Sequence, residues 1–211
     1  SLLDAFEVTG RGSYLALARE IMHRTIEKFW DKGSGGFNDL PSNEQGLGVL
    51  ALPFKSAQDS PTAAGNSVAA RVLNRLFTLT EQPVFKEFAE KTLRHFAGAM
   101  REYGIFGSTY FLALEQFLHS PLHVLVLTRN GDETGTTMHR QALKSYRYGM
   151  IVEKTDPAEK LTLPSAMKGI TDSRLPVAYV CTSVSCAPPV HDPQQLERTI
   201  VEFGRKATAS S

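Results

Sequence analysis

The residues of this chain that could do chemistry are a few carboxylates, one amide, six histidines and two cysteines, and their spacing decides what each can do. Asp39 follows the glycine-rich stretch Gly33, Gly35, Gly36, and Asp59 precedes the string Gly65-Asn66-Ser67. An aspartate in such a turn commonly bonds its own backbone, and an Asn or Ser just ahead of a helix commonly caps it. Glu115 lies in the otherwise apolar stretch Tyr110 to Leu118, where an acid needs a partner or water and its pKa is readily perturbed. His23, His95, His119, His123, His139 and His191 form no His-Glu-x-x-His motif. His119 and His123 are four apart, but Ser120-Pro121 interrupts the helix between them. Neither a metal centre nor histidine acid–base chemistry is expected, and no cofactor is implied. Cys181 and Cys186 lack redox spacing, and no second pair completes a zinc site. Cys181 reads as a small buried strand residue and Cys186 as a more reactive loop thiol, with a disulfide between them as the open alternative. Asn130-Gly131-Asp132 follows a strand as phosphate-binding turns do, but without the glycine pattern of such motifs it reads as a tight turn.

Two rhythms position these residues. Up to about residue 120 the apolar spacing is helical. Tyr14, Ala18, Ile21, Met22, Ile26, Phe29 and Trp30 form one stripe over Ser13 to Trp30. A second helix is expected from about Ser67 to Thr80, with Asn66 or Ser67 as its cap, and a third starts at Pro83, a residue suited to the first helical position. A fourth, about Ser108 to His119, is apolar almost all round and predicts an inner, fully buried helix. Short connections make antiparallel hairpins of these helices. After Pro121 the pattern changes. His123 to Thr128, Met150 to Glu153 and Val177 to Thr182 read as short strands. A helix from Asp132 or Thr134 to about Tyr148 follows the first strand, and a last helix opens at Asp192-Pro193. The order suggests a small α/β unit with parallel pairing, Val124–Leu127 and Val177–Cys181 lying side by side.

The fold class is therefore mainly α: antiparallel helical hairpins over residues 1–120, a small C-terminal α/β subdomain over 121–204, and a frayed tail over 205–211. A chain with 23 basic and 22 acidic residues carries no field that would draw it to nucleic acid, and no aromatic-plus-basic stripe appears. The run Leu122–Leu127 is far too short to span a bilayer. Asp4 and Glu7 stand where a secretory leader would carry basic residues, and two cysteines cannot staple a chain of this size, so a cytoplasmic location is expected.

Gly35-Gly36-Phe37 with Asp39, then Asp59, then Gly65-Asn66-Ser67-Val68-Ala69-Ala70, and finally Ala178-Tyr179-Val180-Cys181 with Cys186 and Pro189-Val190, occur in an order that resembles the rear part of the thioredoxin-domain-containing, spermatogenesis-associated (YyaL-like) protein family. The resemblance implies an (α/α)6 toroid similar to the six-hairpin glycosidases and the N-acylglucosamine 2-epimerases, placed behind a thioredoxin-like domain. This chain has no Cys-x-x-Cys, so no redox chemistry is carried over. It opens inside what reads as a later helix, Leu2 to Val8, as an excised piece or a truncated relative would. Ala63-Ala64 stand where the family has Pro-Ser, so no hydroxyl is carried over at that turn.

In such a toroid the loops at one end of the inner helices build the active face. The resemblance thus implies that Asp39, Asp59 and Asn66 converge on one cavity mouth. There Asp39 and Asp59, with Glu115, are the candidate catalytic acids, and Gly36, Phe37, Asn66 and Ser67 the candidate substrate contacts. Two carboxylates facing each other across a sugar can act as acid and base. The implied function is carbohydrate binding or processing, with a sugar ligand; the alternative is a non-catalytic scaffold or partner-binding module. Missing leading hairpins would leave Leu2, Leu3, Phe6 and Val8 at an open edge, to be hidden by a homodimer through the N-terminal helices or by folding the C-terminal part across it.

Overall fold

Pro83 starts a helix because its fixed φ suits a first turn whose N–H would go unpaired anyway. The computed structural model describes residues 1–41, 54–119, 121–145, 147–158 and 174–209. They fall into two units, Ala16–His119 and Ser1–Leu15 with Ser120–Ser211.

The helical unit contains most of α2 (Gly12–Phe29), then α3 (Gly65–Thr80), α4 (Pro83–Phe96), the short α5 (Met100–Tyr103), a 3-10 turn over Gly104–Gly107, and α6 (Ser108–Leu118). α3 and α4 pack against each other and against α6 around Ala70, Leu93, Phe96, Tyr110 and Ala113. α2 meets α4 through the His23 ring on Phe85 at 5.0 Å, and Trp30, just past its end, stands edge-on to Phe88 at 4.6 Å. Two buried polar bonds fix the register of α6. Asn74 of α3 donates to the Ala113 carbonyl at 2.9 Å, and the Tyr110 hydroxyl to the Leu93 carbonyl of α4 at 2.8 Å. α6 is not the fully buried helix that its composition suggests. Phe111, Leu112 and Leu118 are 46%, 39% and 64% exposed, because only the Tyr110–Ala113 face packs on α3 and α4.

In the second unit β1 (His123–Leu127) is the centre of a three-stranded sheet ordered β2-β1-β3, flanked by β2 (Ile151–Thr155) and β3 (Val177–Cys181). β1 leads through α7 (Glu133–Lys144) to β2, and this helical crossover makes that pair parallel. β3 is the departure from all-parallel expectation: it runs antiparallel to β1, pairing Leu125 with Tyr179. Val124 and Val126 point into a core with Met138, Ala142, Leu196 and Ile200 from α7 and α8 (Pro193–Ala209). Leu125 and Leu127 face the other way, with Val177, Tyr179 and Cys181. α8 continues through residues 205–209, where a frayed tail was expected.

α1 (Leu2–Thr9) belongs to this unit rather than to the hairpins. It lies along β2, where Glu7 Oε2 accepts the Val152 N–H at 3.1 Å and the Glu7 carbonyl meets His139 Nε2 at 2.7 Å. A helix side chain thereby takes a backbone donor on an edge strand that would otherwise invite another chain. Leu3 and Phe6 are each only 4% exposed. That burial removes from these two side chains the open edge on which the homodimer expectation rested. Cys181 and Cys186 are joined by a disulfide that closes the turn after β3. No helix among the described residues is long and apolar enough to cross a membrane.

Candidate functional site

All the candidate residues except Glu115 meet at the start of α3, and a single strap of chain, residues 54–59, connects them. The glycine turn comes first. Gly35 and Gly36 have φ of +81° and +77°, open to glycine without strain, and the turn they make returns the Gly36 carbonyl to the Asp31 N–H at 2.9 Å. Asp31 binds the Gly33 N–H, the Ser34 hydroxyl and, at 2.7 Å, the Lys55 ammonium. Lys55, with the N–H and hydroxyl bonds, holds the Asp31 carboxyl well below the usual carboxylate range. Lys55 also donates to the Gly35 carbonyl, so it laces the turn to the strap. Phe37, 6% exposed, leaves the turn and packs edge-on against Trp30 at 5.1 Å.

Asn66 then locks the next piece. Its Oδ1 accepts the Phe37 N–H at 2.7 Å, while its Nδ2 donates to the carbonyls of Phe37 at 2.9 Å and Ser56 at 3.0 Å. It is not the helix cap expected from its position. α3 begins one residue earlier, at Gly65, with Ala64 as N-cap, which places Asn66 inside the first turn with its side chain turned to the neighbouring loops. Ser67 is 2% exposed, and its hydroxyl has no partner among the described residues. A Cβ on Gly36 would come within 3.3 Å of Asn66 Oδ1 and of the Phe96 ring, so the close approach of turn and helix also needs glycine.

Asp59 ties the two helix starts together. One carboxylate oxygen accepts the Ala64 N–H and the other the Thr109 N–H, each at 2.8 Å. The first turns of α3 and α6 thus sit side by side. Farther along, Asn74 meets Ala113, so contacts occur in the same order on both helices and the two run parallel. Burial works to raise the Asp59 pKa, but the two N–H groups and the Thr109 hydroxyl outweigh it and hold the carboxyl below its ordinary value. Negative charge beside two helix N-termini is favourable on its own account.

Asp39 is exposed, with Oδ1 taking the Phe54 N–H at 2.9 Å and its own N–H donating to the Phe54 carbonyl. Glu115 stands apart. It is six residues past Thr109, or about 9 Å along the helix at about 1.5 Å per residue. Its side chain is 49% exposed, 3.7 Å from His119 Nδ1, because it lies on the outer face of α6 and not within an inner helix. Gly36, Phe37, Asp39, Asp59, Asn66 and Ser67 are therefore linked at one end of α3, and Glu115 is not. Lys55 and Asp31 were missed in the sequence; an aspartate two residues before Gly33 carries an Asx-turn signal, but nothing local marks Lys55 as its partner. Among the described residues no three His, Cys, Asp or Glu side chains group as a metal site.

No family model matches the chain. It is similar to human spermatogenesis-associated protein 20, with 27% identity over 94% of the chain and 26% of the relative. The rat protein of the same name is 26% identical over 94% of the chain and 26% of the relative. An uncharacterised Caenorhabditis elegans protein is 24% identical over 96% of the chain and 27% of the relative. The chain spans about a quarter of the length of the curated relatives it matches.

Proposed function

We propose that this chain serves as a non-catalytic module: a section of α/α-toroid wall whose loop end presents a surface for contact with further parts of a longer, thioredoxin-domain-containing type of protein. The observation that carries this reading is the occupancy of Asp59. Acid–base catalysis on a sugar needs two carboxylates free to exchange protons with the substrate. Both oxygens of Asp59 are already taken by backbone N–H groups. Asn66 likewise spends its oxygen and its amide nitrogen on the loops around it. Of the linked candidates, only Asp39 is an exposed acid with one oxygen outside these bonds. The parallel α3 and α6, with α4 returning between them in sequence, support the toroid-wall reading. Phe54, Ile105 and Phe106, 65%, 80% and 50% exposed, support a contact role. Phe54 is bonded to Asp39, and the Phe106 carbonyl to the Asp59 N–H, so these apolar side chains emerge from the same loops.

The competing reading is a sugar site at this end. Amide NMR of the whole chain, titrated with neutral mono- and oligosaccharides, separates the two. The expected result is no saturable shift at residues 36–39, 59 and 64–67. A saturable shift there, abolished by Asp39→Asn, would overturn the proposal in favour of carbohydrate binding.

A further inference from the structure

In an α/β crossover the carboxyl ends of parallel strands and the first turn of the crossover helix open on the same side, and ligands of such folds collect there. In this chain β1 and β2 end together: Leu127 is opposite Thr155, and the Thr128 N–H donates to the Thr155 carbonyl at 3.1 Å. α1 brings a third element to the same place. Its C-cap, Gly10, has φ +71°, and a Cβ there would lie 2.9 Å from the Lys154 carbonyl, so the chain turns tightly against β2 and delivers Arg11 beside it. Between these three pieces lies a cavity of about 450 Å³. That volume is within the range of about 300–1,000 Å³ common to small-molecule sites.

The lining sets the chemistry. Arg11, Arg129 and Lys154 contribute three cations; the Thr9 and Thr136 hydroxyls also line the space but already donate to the Ala5 and Asp132 carbonyls. None of the three cations is in an ion pair among the described residues. Among the described residues the cavity's one carboxylate, Asp156, is engaged by backbone: Oδ1 accepts the Ala158 N–H at 3.0 Å and Oδ2 faces the Asn130 N–H at 3.4 Å. No aromatic side chain among the described residues lines the space, so these residues offer no platform for stacking a nucleobase. Among the described residues three cations outside any ion pair stand against one carboxylate, and this net positive, polar lining matches a compact oligoanion whose remaining surface is also polar.

We propose that this cavity is a binding site for the phosphate group of a small polar metabolite, a phosphorylated polyol or an inorganic oligophosphate. The site lies wholly in the α/β unit and is independent of the reading given for the helical unit.

Calorimetric titration of the whole chain with inorganic pyrophosphate, a hexose 6-phosphate and the neutral hexose tests it. Both anions are expected to bind saturably and the neutral hexose not at all. Arg129→Ala and Lys154→Ala should each weaken the anions at least tenfold, while Arg24→Ala, in an exposed pair with Glu20 on α2, should leave binding unchanged. Tighter binding of pyrophosphate than of the hexose phosphate assigns the site to inorganic oligophosphate, and the reverse order to a phosphorylated polyol; either supports the proposal. The proposal fails if neither anion saturates at millimolar concentration. It also fails if the folded double variant Arg129→Ala/Lys154→Ala, checked by circular dichroism, binds them as well as the parent chain.

Discussion

Asn66→Ala is expected to destabilise the helical unit by about 3–5 kcal/mol, since leaving a buried polar group unpaired costs about 1–3 kcal/mol for each group and three lose their partner here. The Phe37 N–H and carbonyl are buried with Asn66 and have little access to water, so they carry most of the cost. The Ser56 carbonyl is less enclosed and recovers part of its loss by hydration. Asn66→Asp is no remedy. It keeps an acceptor for Phe37 but removes both donors and sets a buried carboxylate against two carbonyl oxygens. A domain's whole stability is about 5–15 kcal/mol, so either variant should shift unfolding strongly. The chain's single tryptophan, Trp30, packs on Phe37 and makes a local probe. Urea unfolding followed by Trp30 fluorescence should show the midpoint falling for Asn66→Ala. A loss below about 1 kcal/mol would mean that water replaces the amide, because that is the scale of one ordinary exchanged bond.

Gly135→Ala has an expected sign opposite to the one that helix propensity gives. In an exposed helix the change stabilises by about 1 kcal/mol. Here Gly135 sits in the first turn of α7 against the end of β1, and a Cβ would overlap Oγ1 and Cβ of Thr128. Thr128 is only 5% exposed and cannot swing into solvent. Overpacking of this kind costs about 1–3 kcal/mol, and more where backbone must move. The Asp132 cap would suffer too, because its carboxylate accepts the Gly135 N–H at 3.0 Å. Thermal unfolding of Gly135→Ala should therefore fall well below that of the parent chain. Thr128→Ala in the same chain should restore part of the loss, giving a favourable coupling in a double-mutant cycle. A stabilised Gly135→Ala would show that the helix start and the strand end are not in contact as described.

What the sequence made legible follows from the range of each signal. Apolar spacing reports one element at a time, and α2, α4 and β1 lie close to where their patterns put them. Pro83 marked the start of α4, and Asp132, one of two candidate caps, is the one that closes α7. The failures share a different cause. Asp59 reaches Thr109 across 50 positions, and Asn66 reaches Phe37 across 29. No local pattern encodes such a bond: position alone offers Asn66 as a cap and gives Asp59 bonds to its own turn, not to a helix start 50 residues away. Glu115 is half exposed where a buried acid is expected, because an apolar composition does not tell which face of a helix finds a neighbour. Its place in the chain puts α1 with the hairpins, yet it lies on β2, an edge that only the strand order reveals.

Titration of the Asp59 carboxyl carbon by NMR in the intact chain bears most directly on whether this end of the helices is frame or active site. A carboxylate that bridges two helix starts is stabilised in its charged form. Its contribution to stability is therefore present above the unfolded-state pKa and lost as the pH falls through the lower folded-state value. The expected result is a midpoint below the ordinary aspartate value of 3.8, unmoved by added carbohydrate, with loosening of the helical unit on the same acid limb. A midpoint raised toward neutrality, as a general acid acting on a glycosidic oxygen requires, would contradict the structural role assigned to Asp59.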